Sequence, residues 1–330
     1  MTSRRLVVLS LGAGALAAPL ALFAQPPAKV WRIGHLEFPS RKSVVDRGRY
    51  AALIQGLREH GYVENKNFVF EARFADGHPE RLDGLAQELV RAKVDLILST
   101  GTPASHAIKR ATSTIPIVIT TVIDPVGDGF ATSLARPGGN ITGLSSAAED
   151  TVQKLVELTA AVVPKTKRFA VLTFAKNSTH PSLLKQAQAA ARKIGAEAFQ
   201  VNVLTAAEIE QGFARMAQER ADAVVVLLDG FLLIQHEQIA GLAMKYRLPS
   251  AFQTVLYDGV GGLMSFGPDT RDNFRRVGAL VDKILKGAKP GEIPFEQPTR
   301  YYFVINRKTA NSLGIKLSNE VLARADRVID

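Results

Sequence analysis

From residue 30 onward, short apolar runs alternate with stretches in which apolar positions recur every three or four residues. The runs at 30–36 (VWRIGHL), 67–74 (NFVFEARF), 94–100 (VDLILST) and 115–122 (IPIVITTV) predict strands. The segments between them, 46–60, 79–93 and 103–112, have helical spacing, with Gly61 stopping the first and Pro79 at the first helical position of the second. The same order starts again at residue 168. Strands are predicted at 168–174 (RFAVLTF), 198–204, 221–229 (ADAVVVLLD) and 248–254, and helices at 181–194, 206–220 and 234–246. The chain therefore carries two copies of one α/β unit, each over about 100 residues.

Strands alternating with helices imply parallel sheets with right-handed crossovers and helices on both faces. The uninterrupted runs LIL and VVVLL fit strands buried on both sides. The expected fold is α/β, with two Rossmann-like lobes. Lobe 1 takes residues 29–146 plus roughly 266–290, and lobe 2 takes 147–260 plus roughly 298–330. The Pro/Gly-rich segment 136–143 (RPGGNITG) reads as the turn between lobes. The 270–286 helix is expected on the first lobe and the 300–306 strand in the second.

Residues 1–24 fall outside this pattern. Arg4 and Arg5 precede an uncharged, mostly apolar stretch to Phe23, and Ala24 precedes a polar break. That layout predicts a secretory signal peptide cleaved after Ala24, with some likeness to twin-arginine export signals. A periplasmic location with no membrane span after cleavage follows as an expectation. The chain contains no cysteine, which removes disulfides, thiolate metal sites and cysteine nucleophiles. Its net charge of +10 falls to +8 without Arg4 and Arg5, and the basic residues are scattered rather than clustered among aromatics, so no nucleic-acid partner is expected. No nucleophile elbow or phosphate loop is present, and GAGALA at 12–17 lies inside the signal segment. The six histidines have no metal-ligand spacing. No catalytic residue, metal or cofactor is assigned.

Parallel α/β sheets bind ligands at the carboxyl ends of their strands, so the candidate site is collected there. The turn STGTPAS, with Thr100, Thr102, Pro103 and Ser105, offers hydroxyls and a helix N-terminus to an anion such as a carboxylate. The plainer alternative is that Thr102 caps its own helix. Asp124 and Asp229 end strands with carboxylates suited to an ammonium group, or to closing turns. Asn177 and Ser178 occupy the matching turn of the second unit. Phe174, Phe231, Phe252 and Phe266 face either an apolar ligand or the core, and Gln253 follows the last strand of the second unit. Glu37, Arg41 and Lys42 add charge near the mouth of the cleft.

The string STGTPASHAIKRATSTIPIVITTVIDPVGDGFATSLARPGGNITGLSS, with VDKILKGAKPGEIPFEQPTRYYFVINRKTANSLGI and the ending LARADRVI, closely resembles the tryptophan/tyrosine-binding-like family of ABC transporter substrate-binding proteins. The resemblance runs from Val30 to the end. It implies a type I periplasmic-binding fold and a monomer whose lobes close on a small polar molecule, an amino acid or related carboxylate. It also implies delivery of that molecule to a permease and its ATPase. Ligand-facing positions carried over are the 100–105 turn, Asp124, the 143–146 segment with Ser145, Asn177, Ser178 and Asp229. The same module can instead report its ligand state to a membrane receptor. An enzyme on this frame, such as a glycosyl transferase, is opposed by the missing nucleotide motif.

Overall fold

The computed structural model describes residues 29–46, 48–255 and 261–330. The predicted signal peptide therefore lies outside the described residues. Residues 31–330 form one unit built around two sheets.

The first sheet contains β1 (Trp31–Glu37), β2 (Phe68–Phe74), β3 (Leu96–Thr100), β4 (Ile117–Val122) and β5 (Ile141–Ser145). Its order is β2-β1-β3-β4-β5 and every pairing is parallel. Its helices are α1 (Arg41–Asp46), α2 (Arg49–Glu59), α3 (Leu82–Arg91) and α4 (Thr102–Ala111). The second sheet contains β6 (Arg168–Phe174), β7 (Glu197–Val203), β8 (Ala223–Val226), β9 (Ser250–Phe252), β10 (Met264–Gly267), β11 (Tyr302–Asn306) and β12 (Arg327–Ile329). Its order is β12-β11-β10-β9-β8-β6-β7, with β11 antiparallel to β10 and the other pairings parallel. Around it lie α5 (Ala148–Val162), α6 (His180–Lys193), α7 (Ala206–Gln218), α8 (Gly230–Ile234) and α9 (His236–Lys245). The chain continues with α10 (Thr270–Leu285), α11 (Arg307–Leu313) and α12 (Asn319–Arg324).

Alternation along each strand explains the layering. Ile33, Leu96, Leu98 and Val118 pack with Leu53 and Leu57 of α2 and Phe274, Val277 and Val281 of α10. Leu36, Ile97 and Ile119 point the other way, onto α3 and α4. In the second sheet Phe169, Val171 and Val225 meet α5 and α6, while Ala170, Leu172 and Val224 meet α7 and α9. A strand buried on both faces has no polar register, and so it reads as a continuous apolar run.

Four local readings differ from the sequence expectation. The segment 136–143 is not only a turn, because Ile141–Ser145 forms β5 at the edge of the first sheet. A five-residue strand interrupted by Gly143 carries too weak a period to be seen. The predicted helix 46–60 starts later, as α2 at Arg49, with a separate α1 ending at Asp46, and 234–246 begins after the short α8. Phe266, grouped with the first lobe by sequence, sits in β10 of the second sheet. The chain passes between the sheets at 145–148, again at 267–270, and returns at 296–302, where Glu296 still bonds to Gly143 of β5 while Tyr302 opens β11.

Candidate functional site

The carboxyl ends of β1, β3 and β4 and those of β6 and β8 border one cavity. The space open to the centre of a water molecule is about 60 Å³. Its walls are largely apolar: Phe38, Val122, Ile123 and Phe274 from the first lobe, and Phe174, Leu228, Phe231 and Leu233 from the second. Phe174 and Phe231 stack with centroids 4.6 Å apart, and Phe38 lies 6.4 Å from Phe174. The apolar cluster is thereby continuous across the cleft.

Polar groups in these walls divide by lobe. From the first lobe, Arg49 opens α2 and is 3% exposed. Its Nε and Nη2 have no hydrogen-bond partner, and its guanidinium carbon sits 5.4 Å from the Phe274 ring centre. The hydroxyls of Thr102, Thr121 and Thr270 are also buried without partners, and all three residues line the cavity. A buried unpaired donor costs about 1–3 kcal/mol. Four such residues around one cavity mark a place where polar partners are missing.

Beneath this wall Glu37 is fully buried. Its Oε1 accepts from Thr100 Oγ1 at 2.8 Å and lies 3.0 Å from His35 Nε2. Burial pushes its pKa up, but His35, the Arg49 charge and Thr100 outweigh that and hold the carboxyl below the usual range. Burial pulls Arg49 down, opposed by Glu37. The two charges support each other inside the lobe. Glu37, expected near the mouth, is instead a buried counter-charge.

In the second lobe Asp229 caps α8. Its Oδ1 accepts from the Phe231 and Leu232 backbone N–H groups at 2.6 and 3.2 Å, and its Oδ2 accepts from Asn177 Nδ2 at 2.7 Å. Asn177 Oδ1 in turn accepts from the Thr179 N–H and hydroxyl. The two Asp229 oxygens take these three N–H donors and keep further lone pairs for a cation. His180 supports this turn from below. Its Nδ1 accepts from the Phe174 N–H at 2.8 Å and its Nε2 lies 3.4 Å from the Leu228 carbonyl. Burial lowers its pKa despite the Asp229 charge and the Leu228 carbonyl.

Of the fourteen strand-end candidates, Thr100, Thr102, Pro103, Phe174, Asn177, Asp229 and Phe231 line the cavity. The other seven sit elsewhere. Ser105 bonds to Ser99 and to the Gly101 carbonyl. Asp124 closes its own turn, accepting from the Val126 and Gly127 N–H groups. Ser145 bonds to the Ile123 carbonyl and the Ala147 N–H where the chain leaves the first sheet. Ser178 reaches Asp128, and Gln253 ties Leu228 to Thr151. Phe252 is core and Phe266 stacks near Tyr301. The alternative reading of Thr102 as a helix cap does not hold: Gly101 is the cap residue and makes no side-chain bond.

Arg49, Thr270 and Phe274 were not among the candidates. Arg49 had a signal: helical spacing places it on the face of Leu53 and Leu57, a buried stripe where an arginine needs a partner. Thr270 and Phe274 come from a helix 170 positions away from β3, and no local pattern connects them.

Two α/β lobes with a polar-and-apolar cavity at the strand ends have the fold of type I periplasmic binding proteins. The model of the family "ABC transporter substrate binding protein" matches residues 36–329, and the chain belongs to that family. A tyrosine-binding protein of Clostridioides difficile (strain R20291) is 26% identical over 263 residues, 80% of this chain and 75% of that one. A conserved domain protein from Vibrio cholerae superposes with a TM-score of 0.85 at 29% identity, covering 91% of this chain and all of that one. An ABC domain from Streptococcus pneumonia in complex with L-Trp gives 0.85 at 28% identity with the same coverage. Among the described residues no helix is long and apolar enough to cross a membrane.

Proposed function

We propose that this protein binds an L-amino acid with an aromatic side chain between its lobes and delivers it to an ABC permease and its ATPase outside the cytoplasm. The observation that carries this is the set of buried, unpartnered donors on Arg49, Thr102, Thr121 and Thr270 facing a cavity whose opposite wall holds Asp229. The α-carboxylate takes the Arg49 fork and the threonine hydroxyls, a charge-assisted contact of the strong kind. The α-ammonium takes the free lone pairs of Asp229. The ring lies among Phe38, Phe174, Phe231 and Phe274. The tyrosine-binding and L-Trp-bound relatives support the aromatic class. Because the ligand touches both lobes, it favours the closed form over the open one by those contacts.

Titration calorimetry tests this with L-tryptophan, L-tyrosine and L-phenylalanine beside tryptamine and indole-3-propionate, which lack the carboxylate and the ammonium respectively. At least one aromatic amino acid is expected to bind, and each analogue at least about 30-fold more weakly, because a buried charge is left unpaired. Equal affinity for tryptamine and L-tryptophan would sink the Arg49 assignment. For delivery, disrupting the coding sequence in the source organism should abolish saturable uptake of the bound amino acid.

A further inference from the structure

Ser178 and Asp128 meet across the cleft. Ser178 follows β6 in the second lobe and Asp128 follows β4 in the first, and the Ser178 hydroxyl donates to Asp128 Oδ1 at 2.8 Å. The Asp128 side chain is 4% exposed, and its Oδ2 is buried without a partner. Each end of this bond is held firmly. On the first lobe, the Asp128 N–H bonds to the Asp124 carbonyl, and Lys109 of α4 donates to the Gly129 carbonyl at 2.6 Å. Phe130 is buried against His106 with ring centres 4.7 Å apart, and His106 Nε2 lies 3.3 Å from the same Asp128 oxygen. On the second lobe, Ser178 sits between Asn177, bonded to Asp229, and Thr179, bonded back to Asn177.

We propose that Ser178 and Asp128 are positioning residues, forming a latch that holds the Asn177 turn against the first lobe and so sets ligand affinity without touching ligand. The physical argument is one of order and burial. A bond between two pre-ordered supports costs little side-chain entropy when it forms. Its acceptor is a buried carboxylate, for which a hydrogen bond counts more than for a neutral group. The bond exists only when the lobes are together, so it favours the closed state alone and slows ligand escape. Asn177, one residue before Ser178, carries that placement to Asp229 in the cavity wall. Use of an amino acid as probe rests on the function proposed above.

Two measurements test the latch. The first is the dissociation rate of L-tryptophan, by stopped flow, from the wild type, Ser178→Ala, Asp128→Ala, the double variant and Ser178→Thr. Each single loss should speed dissociation roughly tenfold. The double variant should be no faster than the faster single, and Ser178→Thr, which keeps the hydroxyl, should stay near wild type. Unchanged rates in both singles, or effects that multiply in the double variant, overturn the proposal. The second measurement needs no ligand. The chain has no cysteine, so Asp128→Cys with Ser178→Cys creates the sole thiol pair. Under mild oxidation this pair should form a reducible intramolecular disulfide, seen by mobility on a non-reducing gel. Absence of that disulfide with and without amino acids overturns the latch. Its formation in a protein that binds no aromatic amino acid would retain the latch and sink only the ligand reading.

Discussion

At the scale of single residues, the cavity spends stability on polar groups that have nothing to bond to. Thr102 is the cleanest case, because its hydroxyl is buried, unpartnered and not a cap. Thr102→Val replaces it with a methyl group of similar shape. The ligand-free protein should gain roughly 1 kcal/mol, about 2 °C in a chain this long, while amino-acid affinity falls. Calorimetric melting with and without ligand checks the opposite signs, and a loss of both would mean the hydroxyl has a structural role. Arg49 makes a parallel case with charge in place of dipole. Arg49→Lys keeps the charge that Glu37 faces but loses the fork, so binding should weaken at least about tenfold with little loss of fold stability. Affinity measurements beside a melting curve separate the two effects.

At the scale of elements, two contacts decide how the site is held. Helices α2 and α10 approach so closely that a Cβ on Gly278 would lie 2.2 Å from the Gly56 carbonyl oxygen. This glycine–glycine crossing brings Arg49 of one helix and Thr270 and Phe274 of the other to the same wall. Gly278→Ala should cost about 2–3 kcal/mol by overpacking against backbone and should weaken ligand binding with it; denaturant unfolding reads the first and calorimetry the second. The turn after β6 depends instead on a neutral histidine. His180 has a folded pKa below its ordinary 6.5, so the unfolded chain binds more protons than the folded one below that pH. Its contribution is present above pH 6.5 and is lost as pH falls towards the folded value. Melting temperature should drop between pH 7 and pH 5, and His180→Gln should flatten that drop relative to wild type. Glu37, also lowered, adds a loss of the same sign only below about pH 4.5.

At the scale of the whole molecule, three crossings join two sheets that share one cavity. In the proposed function, ligand contacts on both sides convert binding into closure. Solution scattering should show the radius of gyration fall when a saturating aromatic amino acid is added, and a profile that ignores ligand would argue against closure. The tail illustrates how topology exceeds local pattern. Residues 270–285 leave the second sheet to pack on the first, and 302–306 then return to pair antiparallel with β10. Neither move follows from the elements themselves, since an amphipathic helix specifies that it needs a partner and not which one.

Helical and strand periods, the doubled order of elements and the strand-end hydroxyl turns were all legible in the chain, because they depend on neighbours two to four positions apart. So was the turn at Asn177 and Asp229, since a polar residue directly after a buried strand has few other places to be. Proximity across the fold was decided elsewhere. Asp124, Ser145 and Gln253 have the right chemistry, but their hydrogen bonds go to turns and crossings. Arg49, Thr270 and Phe274 meet the strand ends because two helices distant in sequence cross at a pair of glycines. Local sequence determines what each segment can bury. Which buried polar group is left without a partner is settled when the segments pack, because only then are the competing partners in place.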